Sequence, residues 1–114
     1  MKKLNITENG EIESDEIIYL ESDSNYTLIH LKLSPQAVLV AKSLCYVQDT
    51  LSPQDFVRVS RQHVINISYI TKYWEEKEVL HIQIKDGSLF KASRRRSLFV
   101  RDSISRYISN AKNA

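Results

Sequence analysis

The chain has 114 residues, enough for one well-formed core and too few for two. Hydrophobic residues make up 42% and charged residues 26%, the balance of an ordinary globular domain and not of a disordered chain. The formal net charge of +2 hides an asymmetry: residues 1–57 carry four Lys/Arg against nine Asp/Glu, and residues 58–114 carry twelve against five. A chain so divided is expected to show one basic face toward a polyanion, although a solvated charged surface would have the same composition.

Several classes are excluded at once. The longest uninterrupted apolar run, Ala37 to Ala41, is five residues and cannot cross a bilayer as a helix. The basic start Met1-Lys2-Lys3 lacks the apolar stretch of a signal peptide behind it. Cys45 is the only cysteine, which rules out an internal disulfide and suits a reducing, cytoplasmic compartment. Two glycines in the whole chain cannot build a P-loop or a dinucleotide fingerprint. No repeat, linker or low-complexity tract divides the chain, so residues 1–114 are expected to form a single domain.

In chain order, strand signals dominate. Leu4 to Thr7 and Glu11 to Glu13 alternate around Asn9-Gly10, a strong hairpin signal. Ile17 to Leu20 is an apolar run, and Asp23-Ser24-Asn25 turns the chain. Tyr26 to Leu33 alternates, with Thr27, Ile29, Leu31 and Leu33 assigned to the core face. Ala37 to Lys42 is a further strand. The spacing of Leu44, Val47 and Leu51 predicts a helix over 43–51, stopped by Pro53. Val57 to Val59 and Val64 to Ile67 are short apolar pieces separated by polar Ser60-Arg61-Gln62-His63. Ile70 to Trp74, Val79 to Ile84 and Leu89 to Ala92 follow, the last two joined by Asp86-Gly87. A second helix is predicted over 97–109, with Val100, Ile104, Tyr107 and Ile108 on one stripe and Ser97 as its N-cap. The fold class is mainly β with two helices.

No catalytic constellation emerges. His30, His63 and His81 have no neighbours at metal-ligand spacing, and one cysteine cannot make a structural zinc site. Glu75-Glu76-Lys77-Glu78 reads as a solvated turn between strands. No catalytic, metal or cofactor residue is therefore assigned. The basic half is more informative. Arg94-Arg95-Arg96 leaves a strand and enters a helix, and the guanidinium fork suits both phosphate oxygens and the guanine edge. The N-terminus of that helix adds a positive dipole end. Arg58 to His63 forms a second polar island held between apolar residues on both sides. An ion-pair node and an ordinary loop are the plainer readings of these two stretches.

The order of segments resembles the LytTR family of DNA-binding domains, the output modules of many bacterial response regulators. Asp15-Glu16-Ile17-Ile18-Tyr19-Leu20-Glu21 is similar to the family's I-x-Y-x-E strand. Asn25 to Leu31, the Leu44 to Leu51 helix and Phe56-Val57-Arg58-Val59 follow in the family's order. Arg61 and Val64-Ile65-Asn66 fall where the family has F-x-R-V-H-R-S-x-x-V-N. Ile70, Asp86-Gly87 and Ser93-Arg94-Arg95 complete the match, the last like the family's S-R-R, so the likeness covers about residues 15–108.

The resemblance implies an elongated fold of about ten strands in small sheets and sequence-specific binding of double-stranded DNA by loops in the major groove. It also implies transcription regulation through two copies on a direct repeat, with no membrane association. Carried over residue by residue, the DNA-binding set is Asn25, Tyr26, Arg58, Ser60, Arg61, Gln62, His63, Arg94, Arg95 and Arg96. Tyr26, Arg61 and Arg95 are expected nearest the bases, and Arg58, Gln62, Arg94 and Arg96 nearer phosphates. Asn66 is expected to bond the backbone and shape its loop. Ser60 stands where the family usually has His, and Gln62-His63 where it has Ser and an aromatic. The 14 residues before the match are too few for the family's receiver domain, which would be a fused or separate partner.

Two other readings use different features. A single-strand or RNA binder would stack bases on Tyr19, Tyr46, Tyr69, Tyr73 and Trp74, although their places in the apolar pattern favour core packing. A protein-interaction module would use the Tyr73-Trp74 strand and need no basic loops.

Overall fold

The computed structural model describes residues 3–7 and 10–112. Ten strands form three antiparallel sheets, with two helices and two single-turn 3-10 helices between them. Strands β1 (Lys3–Thr7) and β2 (Gly10–Glu13) make a two-stranded ribbon. The expected Asn9-Gly10 turn has its first residue outside the described residues. A five-stranded sheet follows in the order β5-β4-β3-β7-β6. Its members are β3 (Ile17–Asp23), β4 (Tyr26–Leu31), β5 (Val38–Val40), β6 (Phe56–Arg58) and β7 (His63–Asn66). The third sheet has the order β10-β9-β8, from β8 (Ile70–Glu76), β9 (Val79–Ile84) and β10 (Leu89–Ala92). Helix α1 covers Leu44–Asp49 and α2 covers Ser97–Lys112. The outline is an oblong slab of 41 × 35 × 24 Å.

Neighbouring residues of β6 and β7 feed two separate cores. Phe56 and Val64 join Leu20, Ile29, Val40, Leu44 and Val47 in a first core roofed by α1. Val57 and Ile65 join Leu80, Ile82, Ile84, Val100 and Ile104 in a second, roofed by the three-stranded sheet and α2. The large sheet is thus covered on both faces. This explains why Val64 and Ile65 read as an unbroken apolar run instead of an alternation. Along β3, Ile17 and Leu20 are both fully buried in the first core despite their odd spacing. The register slips between Ile17 and Tyr19, where one extra residue faces a single step of β4. Such a bulge resets which face the following side chains point to.

Buried polar groups are satisfied locally. Thr27 sits in the core and donates from Oγ1 to the Lys42 carbonyl at 2.9 Å. Buried Asn66 donates from Nδ2 to the Ile17 carbonyl at 2.8 Å. Its Oδ1 accepts from the Ser68 amide at 3.0 Å and the Ser68 hydroxyl at 2.8 Å. The side chain therefore bonds the backbone as expected, but the segment it shapes is the 3-10 turn Ile67–Tyr69. Among the described residues, no buried side-chain polar atom is left without a partner.

Four expectations need correction. Leu33 is 82% exposed, because β4 ends at Leu31 and the chain turns toward Pro35. Ile108 is exposed at the rim of the α2 stripe, whose buried part is Val100 and Ile104. Ser97 is not the N-cap of α2. The first helical bond runs from the Val100 amide to the Arg96 carbonyl, and the Ser97 hydroxyl instead donates back to Ser93. Tyr46 is 48% exposed, with Lys42 Nζ 5.0 Å from its ring centre, whereas Tyr19, Tyr69 and Tyr73 pack against the second core. Helix α1 is capped by Ser43, whose hydroxyl accepts from the Tyr46 amide.

Candidate nucleic-acid interface

Three segments far apart in sequence meet at one end of the slab. The first is the β3–β4 turn, in which Asp23 pairs with Tyr26 and only Ser24 and Asn25 lie between them. Ser24 takes the left-handed φ of 57° that so tight a connection demands. The second is the β6–β7 loop, closed by the Val59 amide donating to the His63 carbonyl at 3.1 Å. The third follows β10, where the Arg96 and Ser97 amides both donate to the Ser93 carbonyl and start α2.

Main-chain bonds tie these segments together. The Ser22 amide donates to the Gln62 carbonyl at 2.8 Å, joining the first to the second. The Ser93 amide donates to the Val59 carbonyl at 3.1 Å, joining the third to the second. Between them lies an open cleft of about 630 Å³, lined by Ser22, Ser24, Ser60, Arg61, Gln62 and Ser93. Its walls are hydroxyl, amide and guanidinium groups, the donors that polar ligands with many acceptor oxygens require.

The sequence-assigned side chains divide by environment. Asn25 is exposed beside the cleft, and Tyr26 is 46% exposed at the start of β4. Arg61, Gln62 and Arg95 are exposed, and Arg96 is half-buried where α2 begins. Arg94 is exposed but reaches Glu78 at 3.3 Å, on the turn between β8 and β9. Among the described residues, no ion pair engages Arg61, Arg95 or Arg96. The Ser60 hydroxyl accepts from the Gln62 amide at 3.2 Å and so stays within its own loop. Arg58 is half-buried and folds onto its own loop: Nε donates to the Ser60 carbonyl at 3.1 Å and Nη2 to the Arg61 carbonyl at 2.9 Å.

His63 is not a loop residue. It opens β7 opposite Glu21, with its ring half-buried and edge-on to Phe90 at 5.0 Å. His30 stacks on Tyr19 with ring centres 4.0 Å apart and bonds Glu21 at 3.0 Å. The other Glu21 oxygen lies 3.9 Å from His63 Nε2. Burial lowers the His63 pKa below its ordinary value of 6.5; Glu21 opposes this and nearby His30 adds to it. Burial raises the Tyr19 pKa, with help from Glu21 and Asp86. This cluster of rings around Glu21 holds His63, the residue that follows the β6–β7 loop.

The set of interface residues drawn from the sequence leaves out Ser22, Ser24 and Ser93, which line the cleft: Ser22 carries no motif, and Ser24 and Ser93 read only as a turn residue and as the first residue of S-R-R. The turn expected between two strands falls at Lys77-Glu78, between β8 and β9. Both residues hold left-handed φ angles, 53° and 67°, without the usual glycine or asparagine signal. Glu75, read there as part of a solvated turn, lies in β8 and pairs with Arg101 of α2. A second groove, about 330 Å³ between β8 and α2, is lined mainly by Ile70, Tyr73, Ile104, Tyr107 and Ile108. With Lys72 its one cationic residue, it does not suit a polyanion. No group of three or more His, Cys, Asp or Glu able to hold a metal ion occurs among the described residues, and none of their helices is long and apolar enough to cross a membrane.

An open cleft of donors with Arg61 in its wall, assembled from strand-connecting loops, fits a strand-rich nucleic-acid-binding domain. The family model of the LytTr DNA-binding domain matches residues 10–104. The chain belongs to that family and is a DNA-binding domain of transcription regulation. Among solved structures it is similar to the LytTr DNA-binding domain of a methyl-accepting/DNA response regulator from Bacillus cereus. That match has a TM-score of 0.75 and 17% identity, over 91% of this chain and 97% of the other. No curated protein matches the chain.

Proposed function

We propose that this single domain reads double-stranded DNA sequence-specifically, with the three loops around the Ser60–Gln62 cleft entering the major groove. The observation that carries the reading is the pair of main-chain bonds, Ser22 to Gln62 and Val59 to Ser93, which hold the three loops as one surface. Sites held within a fraction of an ångström discriminate better than loops that order on binding. Arg61, Arg95 and Tyr26 are assigned to the base edges, with Asn25 and Gln62 beside them. Arg94 and Arg96 are assigned to phosphates, Arg96 next to the amide-rich start of α2. Ser60 shapes its loop through the Gln62 amide, and His63, which follows that loop, packs against Phe90.

The domain acts by binding and carries no catalytic step. One module of this size covers a limited contact area, about 600–1,000 Å² for single DNA-binding units, so two copies on a direct repeat supply the affinity that regulation needs. A receiver domain, fused or separate, is the fitting source of control, by analogy with the response regulator that the Bacillus cereus domain comes from.

The test is a titration of the chain against random duplex DNA, single-stranded DNA and RNA, followed by selection from a random duplex pool. Preference for duplex and recovery of a common site are the expected results. Tighter binding to single strands, or a pool that never converges, would overturn the reading.

A further inference from the structure

We infer that Arg58 is a positioning residue for DNA recognition: it fixes the β6–β7 loop through two of its carbonyls and does not contact the DNA. The inference rests on the reading of that loop as part of the interface. Every main-chain carbonyl from Val59 to Gln62 has a donor. The Val59 carbonyl accepts from the Ser93 amide, and the Gln62 carbonyl from the Ser22 amide. The two between them, Ser60 and Arg61, accept from one guanidinium, through Arg58 Nε and Nη2 at 3.1 and 2.9 Å. Arg58 is the last residue of β6, paired with Val64, so its side chain starts from a fixed strand position.

Two consequences follow for a polyanionic partner. A four-residue loop with unpaired carbonyls would present negative dipole ends to the phosphates; here those ends are turned to internal donors. The outward-facing groups are then the side chains of Arg61 and Gln62. Charge-assisted bonds to a planar fork also hold two carbonyls at a set separation, which a lysine ammonium cannot do with the same geometry. The loop is thereby ordered before DNA arrives, and the ordering cost is removed from binding.

The same guanidinium placed on a phosphate would behave differently, and this separates the two roles. A phosphate contact weakens all duplexes alike and contributes about 0.9 to the salt slope. A positioning role costs affinity for the preferred site and leaves random DNA and the slope unchanged. The experiment measures fluorescence anisotropy of the full chain, with a duplex it selects from a random pool and with a random duplex, for wild type, Arg58→Lys, Arg58→Gln and Arg61→Ala. Both Arg58 variants should lose about tenfold or more on the selected duplex, by analogy with the loss of a charge-assisted bond. Random-duplex affinity should stay within about twofold, with an unchanged salt slope. In the free protein, amide exchange at Gln62, whose N–H is held by Ser60, should quicken in both Arg58 variants.

Equal losses on both duplexes in Arg58→Gln with a shallower slope, and a near-normal Arg58→Lys, would assign Arg58 to a phosphate and overturn the inference. Wild-type behaviour in both Arg58 variants, with Arg61→Ala impaired, would overturn it while leaving the interface standing. Wild-type binding by Arg61→Ala as well would overturn the interface and the inference with it.

Discussion

The salt dependence of duplex binding can be counted from the structure. The cationic side chains free to reach phosphates from the three loops are Arg61, Arg94, Arg95 and Arg96; Arg58 keeps its charge but turns Nε and Nη2 to its own loop carbonyls. On a random duplex no base edge is matched and all four fall to phosphates; Arg94 shares its charge with Glu78, so the effective number of neutralisations lies between three and four. At about 0.9 per phosphate, the log–log slope is expected between about −2.7 and −3.6. Raising salt from about 50 to 200 mM should then weaken binding roughly 40- to 150-fold. Glu78→Gln should free Arg94, raise low-salt affinity and move the slope toward the steeper limit. Fluorescence anisotropy on a labelled random duplex across that range measures all three quantities. A slope shallower than about −1 would refute the count and the basic face behind it.

Four further outcomes are expected. Arg95→Ala should cost about 1–3 kcal/mol on a selected site and relax preference at one base position, whereas Arg96→Ala should weaken selected and scrambled duplexes equally. Asn66→Ala removes three hydrogen bonds and strands the Ile17 carbonyl, so it should cost about 2–4 kcal/mol in chemical denaturation. Stability should fall with pH below about 6.5, because the unfolded His63 takes a proton there that the folded one, with its pKa lowered by burial, resists. His63→Gln should flatten that limb of the pH profile. Inserting about five base pairs between two half-sites should abolish the gain from a second copy by turning it to the opposite face of the duplex; unchanged affinity would refute two-copy binding.

Much of the fold was legible because side-chain periodicity follows burial. The alternation along Val79–Ile84 and Tyr26–Leu31 marks strands with one covered face, and Asp86-Gly87 marks a turn whose glycine holds a φ of 90°. Legibility failed where a local rule met a tertiary constraint. The bulge at Ile18 places Ile17 and Leu20 on one face, which no period-two pattern anticipates. The alternation through Leu33 outran the strand because the Lys32 amide makes one last bond, to the Glu16 carbonyl, and the chain then turns and leaves Leu33 exposed. The turn read over Glu75–Glu78 narrows to Lys77-Glu78, since Glu75 and Glu76 stay in the strand by pairing with Leu80 and Val79 and force left-handed φ angles on the two residues between. The basic segments were legible from charge, but their meeting at one cleft was not.

The reason is that the cleft is assembled by amides and carbonyls, which every residue possesses. Ser22 to Gln62 and Ser93 to Val59 are main-chain bonds, so neither pin leaves a trace in side-chain chemistry. The same fact bears on the positions where this chain departs from the resembled pattern, Ser60, Gln62 and His63. A loop held by its neighbours' backbones and by Arg58 keeps its path when those side chains change. Ser60 keeps a local bond to the Gln62 amide, and His63 finds a place against Phe90 after the loop. The scaffold therefore separates the path of the loop from the side chains it carries: the main-chain bonds to Ser22 and Ser93 do not depend on which residues stand at 60 and 62.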